Sequence, residues 1–167
     1  MKVIANIRRL DLIHLNLALL PRLRSTYVTI GAIALAVAAF VLWQNGVDDT
    51  VRNWKLVCLA SLASGVGGML IGMVITMIFI LFTSSKSNGI LGVHEYEITP
   101  EGLFEKTDAN EGLNKWSGIQ EIRIVGPFLL FRISGYLFHA IPKRSFESTE
   151  KFQEFVQMAQ TKWRGDA

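Results

Sequence analysis

Hydrophobic and polar positions divide the chain into unlike parts. Residues 25–45 and 56–85 hold no charged side chain, whereas residues 93–164 mix acids and bases throughout. The run from Leu56 to Ser85, bounded by Lys55 and Lys86, exceeds the ~20 apolar residues that a helix needs to cross a bilayer. Tyr27 to Trp43 is shorter and rises about 25 Å as a helix. Ser25, Thr26 and Gln44 extend it, and its terminal aromatics suit the headgroup zone. Hydrocarbon offers no partners for backbone N–H and C=O groups, so both runs are expected to be helical. The polar stretch QNGVDDTVRNWK between them reads as a short loop, which makes the two spans antiparallel neighbours.

On the N-terminal side, residues 3–7 read as a short strand. Residues 10–20 read as a helix lying along the membrane until Pro21 breaks it, with Leu10, Ile13, Leu17 and Leu20 sharing one face. After the spacer KSNG the period changes. Strands are expected at 93–98, 103–107, 113–116, 119–125, 128–133 and 136–141, separated by turns such as Thr99 to Gly102, Gly126-Pro127 and Ser134-Gly135. Ser148 or Thr149 is positioned to cap a closing helix with Phe152, Phe155, Val156, Ala159 and Trp163 on one face. The expected organisation has three parts: an N-terminal strand and interfacial helix at 1–24, a two-span helical hairpin at 25–85, and an α+β domain at 91–163.

The small-residue pattern of the second span adds a packing expectation. Ala60, Ser64, Gly68, Gly72 and Thr76 recur every four residues on nearly one face, where missing bulk lets another helix approach. Gly31, Ala34 and Ala38 of the first span are the expected counterpart, and Gly65 falls off the seam. Homo-oligomerisation through this second helix, or docking on a partner's helix, is the alternative. Neither span holds an Asp, Glu, Lys, Arg or His, which argues against an ion or proton pathway built from this chain alone.

Charge sets the orientation. The formal net charge is only +3, but Lys2, Arg8, Arg9, Arg22 and Arg24 face a single acid, Asp11, ahead of the first span. The loop between the spans carries only Arg52 and Lys55, so the positive-inside rule places both termini in the cytoplasm. A basic segment beside a span points to anionic membrane lipids as partners, and not to nucleic acid. Cys58 is the only cysteine, which excludes an internal disulfide and a cysteine-based metal site.

Little of the soluble part looks catalytic. His94 and His139 lie in different strands without cysteine, and His14 has no ligating neighbours, so no metal centre is expected. Glu95 and Glu97 share a strand face and read as a solvated pair. There is no Gly-rich phosphate loop or nucleophile elbow, so neither a cofactor nor an enzymatic activity is expected. Lys143 and Arg144 are the candidate binding residues. They follow Pro142 at a strand end and precede a helix, where two bases and backbone N–H groups can receive an anion such as a lipid headgroup or a carboxylate. The competing reading pairs Arg144 with an acid such as Glu147.

Thr99 to Leu103, then Trp116 and Ile119, and finally the Ile141 to Phe146 box ahead of an amphipathic helix form a pattern. It resembles the YcxB-like domain of small bacterial membrane proteins. The resemblance implies a pleckstrin-homology-like antiparallel sheet with a C-terminal helix and a bacterial inner-membrane location, and it implies little chemistry. The function expected is that of a non-enzymatic inner-membrane protein presenting a cytoplasmic domain to a protein partner or to the membrane surface. An immunity protein against a membrane-active toxin and an accessory subunit of a transport complex are the alternatives.

Overall fold

The structure is a computed structural model that describes residues 1–85, 89–135 and 137–165. Lys86 and most of the expected spacer, together with Tyr136 at the expected start of the last strand, lie outside the described residues. The chain forms two units: residues 19–79, and residues 1–18 together with 80–167.

The smaller unit is a helical hairpin. Helix α2 (Arg24–Arg52) and helix α3 (Trp54–Thr83) are each long and apolar enough to cross a membrane. Of their most apolar windows, 0% of α2 and 6% of α3 is buried, whereas the core helix of a soluble domain would be mostly covered. Their length and their uncovered apolar surface fit a membrane protein.

The loop expected between the spans is instead mostly helical. α2 continues to Arg52 and breaks only at Gly46, whose φ of 73° and ψ of 174° lie where a residue without Cβ is favoured. Beyond the break, Thr50 Oγ1 donates to the Gly46 carbonyl at 2.6 Å and Asn53 Nδ2 to the Asp49 carbonyl at 3.1 Å. With no proline in the segment and these local bonds available, helix continues where polarity alone suggested loop.

The contact between α2 and α3 also departs from the expected seam. Ser61 and Gly65 are the buried residues of α3. A Cβ on Gly65 would meet the Ile30 carbonyl oxygen, with Ala34 Cβ at 3.3 Å, and one on Gly68 would lie 2.9 Å from Ile33 Cδ1. Nothing lies within 4 Å of the Gly72 position. Ser64 and Thr76 turn their hydroxyls back onto the Ala60 and Gly72 carbonyls, both at 2.8 Å. Of the expected stripe Ala60, Ser64, Gly68, Gly72 and Thr76, Gly68 stands at the contact while Ala60, Gly72 and Thr76 are exposed, and Gly65, expected off the seam, belongs to it. Four-residue spacing drifts around a helix of 3.6 residues per turn, so a straight stripe does not track one neighbour.

The larger unit is discontinuous in sequence. Strand β1 (Lys2–Ile7) pairs antiparallel with β2 (Gly92–Ile98), from Lys2 opposite Glu97 to Ile7 opposite Gly92. The sheet continues through β3 (Gly102–Lys106) and β4 (Glu111–Lys115) in the order β1-β2-β3-β4. A second antiparallel sheet holds β5 (Glu121–Val125), β6 (Phe128–Ser134) and β7 (Leu137–Pro142). The strands thus fall into two sheets, and the N-terminal strand belongs to the domain. Val3, Ala5 and Ile7 enter the same core as Tyr96, Leu103 and Phe131. The expected boundary at residue 91 is corrected accordingly, because the alternation of β1 buries one face only when β2 lies beside it.

Helix α1 (Arg9–Leu19) follows β1 directly. Its Leu12 packs on the core, and Pro21 forces a 3-10 turn at Leu20–Arg22. Helix α4 (Thr149–Gly165) closes the domain with Phe152, Phe155, Val156 and Ala159 buried. Ser148 is its N-cap, accepting from Lys151 N at 3.3 Å. Trp163 Nε1 donates to the Ile119 carbonyl at 2.7 Å, which ties the helix end to the β4–β5 connection.

Candidate functional site

Among the described residues, three groups bear on the residues singled out from the sequence. The first is the segment Ile141 to Phe146. Ile141 is fully buried, Lys143 N donates to the Pro127 carbonyl at 2.7 Å, and Phe146 meets Phe152 and Phe155 edge to face at 5.2 and 5.3 Å. The two bases expected to act together point to different partners. Arg144 pairs with Asp11 of α1 and donates to the Asn6 carbonyl at 2.9 Å. Asp11 also accepts from Arg8 N at 2.7 Å, so one carboxylate both caps α1 and holds the guanidinium. Arg144 is thereby committed to an internal acid, which is Asp11 and not Glu147. Lys143 is exposed, with Nζ 5.8 Å from the Phe152 ring centroid, and remains available to an outside partner.

The second group is the turn that joins β2 to β3. Thr99 Oγ1 donates to the Gly102 carbonyl at 2.8 Å and accepts from Gly102 N at 3.1 Å. The buried Trp116 donates its indole N–H to the Thr99 carbonyl at 3.3 Å and its backbone N–H to Glu101 at 3.2 Å. A Cβ on Gly102 would fall on the backbone of Asn114, so only glycine fits there. The sequence pattern around Thr99, Gly102 and Trp116 therefore records a clasp between strands.

The third group brings together His94 and His139. His94 Nδ1–H donates to Glu105 Oε1 at 2.9 Å, and His139 Nδ1–H donates to Oε2 at 3.1 Å. Tyr96 stacks on His94 with ring centroids 5.9 Å apart, and its hydroxyl lies 3.3 Å from His94 Nδ1. The Asn114 amide bonds His139 Nε2 at 3.0 Å, while His94 Nε2 is buried without a partner. Burial works to raise the Glu105 pKa, but the hydrogen bonds from His139 and His94, with Tyr96 adding to them, hold the carboxyl well below the usual carboxylate range. Burial, then the charge of Glu105, pushes the Tyr96 phenol well above its ordinary value.

Chemically this is a carboxylate whose acceptor sites are filled by fixed donors. It sits at one side of a cavity of about 250 Å³ whose lining includes Leu12, Leu15 and Leu137. Glu95 and Glu97 face the other side of the sheet, where Glu95 pairs with Lys2 at 2.6 Å. His14 is exposed on α1. Among the described residues, no group of three or more His, Cys, Asp and Glu side chains is arranged to hold a metal ion.

Glu105 and Asp11 were missed from sequence. Strand period alone would have found Glu105, because it lies two residues from the buried Leu103 and opposite Tyr96. Asp11 follows Arg8 by three residues, the offset of a reciprocal cap, but nothing local announces Arg144 as its partner.

Residues 98–159 match the family model described as YcxB-like protein. No curated protein and no solved structure matches the chain.

Proposed function

We propose that this chain, which carries a YcxB-like domain and two membrane-crossing helices, is a non-enzymatic protein of the bacterial inner membrane. It displays that domain on the cytoplasmic face as a docking module for a protein partner. The observation that carries this reading is the pairing of β1 with β2 on either side of the hairpin. Two strands hydrogen-bonded along six residue pairs share one side of a membrane, so the intervening helices cross and return. The bases at residues 2–24 favour the cytoplasm for that side.

The two antiparallel sheets closed by α4 support a pleckstrin-homology-like reading of the domain, a scaffold suited to display. The most concentrated polar cluster supports the non-enzymatic reading, because Glu105 is held by internal donors and is not poised to take a proton from a substrate. Lys143 is the binding residue we retain.

A photo-crosslinking residue at the exposed Glu147 of the full chain, near an intact Lys143 and irradiated in native membranes, tests the proposal. A discrete protein adduct that disappears when Lys143 is replaced by Glu beside the probe at Glu147 supports it. Lipid adducts alone would contradict it, as would turnover of a substrate by the purified chain.

A further inference from the structure

We infer that the outward face of α1, formed by Leu10, Ile13 and Leu17, is seated in the interfacial layer of the bilayer, with Arg8 and Arg9 beside it on anionic phospholipid headgroups. The inference rests on the hairpin spanning a membrane and not on the identity of any protein partner.

α1 is apolar on two sides. Its inner side is used: Asp11 is 9% exposed, Leu12 packs on the core, and Leu15 lines the inner cavity with it. On the outer side Leu10 is 63% exposed and Leu17, two turns on, is 44% exposed. A helix that is apolar on both sides is expected to be covered on both, because water covers neither well.

The chain itself identifies the cover. α1 ends at Leu19 and α2 begins at Arg24. Fully extended, the connection from Leu19 to Arg24 spans no more than about 18 Å, so the C-terminal end of α1 is tethered close in the chain to the first span. Eight residues, 84–91, separate α3 from β2 and tether the domain a second time.

Charge agrees with this placement. Asp11 is the single acid among residues 1–24, and its carboxylate is occupied by Arg144 and by Arg8 N. The segment therefore presents Arg8 and Arg9 at its surface, Arg9 also donating to the Ser84 carbonyl at 3.5 Å, where an anionic bilayer attracts them. Beside Leu10, a recess of about 300 Å³ lined by Arg8, Asp11, His14, Phe128, Pro142 and Arg144 has one acid, which Arg144 neutralises, and leaves the Arg8 cation beside apolar walls, a composition that suits an amphipathic anion.

The test uses the full chain with Cys58→Ser in nanodiscs, spin-labelled singly at Leu10→Cys, Leu17→Cys or, as an exposed reference on α4, Glu154→Cys. Power saturation should show the labels at 10 and 17 more accessible to oxygen than to a nickel chelate, with the reverse at 154. Arg8→Ala/Arg9→Ala should make the labels at 10 and 17 shallower in equimolar phosphatidylglycerol and phosphatidylcholine but not in phosphatidylcholine alone.

Labels at 10 and 17 as water-exposed as the one at 154 would overturn the inference. So would labels shielded from both reagents, which would mean that protein covers the face. Depth unaffected by the double substitution in the anionic discs would overturn the headgroup assignment. An unaltered spectrum at 154 in every variant reports an intact domain.

Discussion

Arg144, in the turn ahead of α4, is ion-paired with Asp11 of α1, 133 residues away in sequence. With the Asn6 carbonyl as a second acceptor, the guanidinium fastens the N-terminal segment to the box that precedes the last helix. Replacing Arg144 by Ala leaves a mostly buried carboxylate with one fewer donor. Hydrogen bonds to charged groups contribute about 1.5–3 kcal/mol, and partial exposure of Arg144 favours the lower end. Thermal unfolding of the full chain in detergent should show Arg144→Ala below the parent, with Asp11→Ala below both because it also removes the cap of α1. An unchanged midpoint for Arg144→Ala would mean that the pair does not hold the segment.

The hairpin contact gives an ordered series. Gly65→Leu should destabilise more than Gly68→Leu, and Gly72→Leu should be nearly neutral. A Cβ at 65 meets fixed backbone at Ile30, one at 68 meets the flexible end of Ile33, and one at 72 meets nothing. Melting temperatures of the three variants in one detergent check the order. A larger effect at 72 than at 65 would restore the straight stripe as the working face.

Glu105 makes acid stability specific. Its folded pKa is depressed, so its contribution is fully present above the unfolded value of about 4.3 and is lost as pH falls through the folded one. Glu105→Gln should be less stable than the parent at neutral pH, and the difference should shrink below about pH 4.3. Tyr96 acts at the other end. Its raised pKa contributes stability below the unfolded value of about 10, which is lost as pH rises above it. Tyr96→Phe should therefore flatten the alkaline fall in stability. Denaturant titrations across pH measure both, and parallel curves for parent and variant would remove the assigned group.

The clasp around Gly102 predicts a severe small substitution. Gly102→Ala places a methyl group on the Asn114 backbone and should cost about 3 kcal/mol or more. Trp116→Phe keeps the buried ring but loses the N–H donated to Thr99, and should cost about 1 kcal/mol from that bond, with any cavity term added. Chemical unfolding of the two variants checks the ranking.

The spans, the strands and α4 were legible because each has a clear local period: uninterrupted apolar runs, alternation of two, and a stripe at helical spacing. What escaped was non-local. That β1 completes a sheet with β2 depends on a pairing across the whole hairpin, and no residue from 2 to 7 signals it. Glu105 was legible in principle from strand alternation, whereas the convergence of His94 and His139 on it needs the two sheets brought together. Arg144 was singled out as a candidate to bind an outside anion, whereas it pairs with Asp11, a partner that only the tertiary fold can put there. The helical continuation beyond Gly46 was hidden by polar composition, which in a segment without proline says more about solvent than about backbone.

One domain is built from the chain on both sides of the helical hairpin. Cysteines introduced together at Ile4 and Glu95, which face each other across β1 and β2, test it in cells carrying Cys58→Ser. Oxidation is expected to join the two, and an impermeant maleimide to label either one, in its reduced single-cysteine form, only after the inner membrane is opened. Labelling of one position but not the other in unopened cells would place the strands on opposite sides and contradict the account.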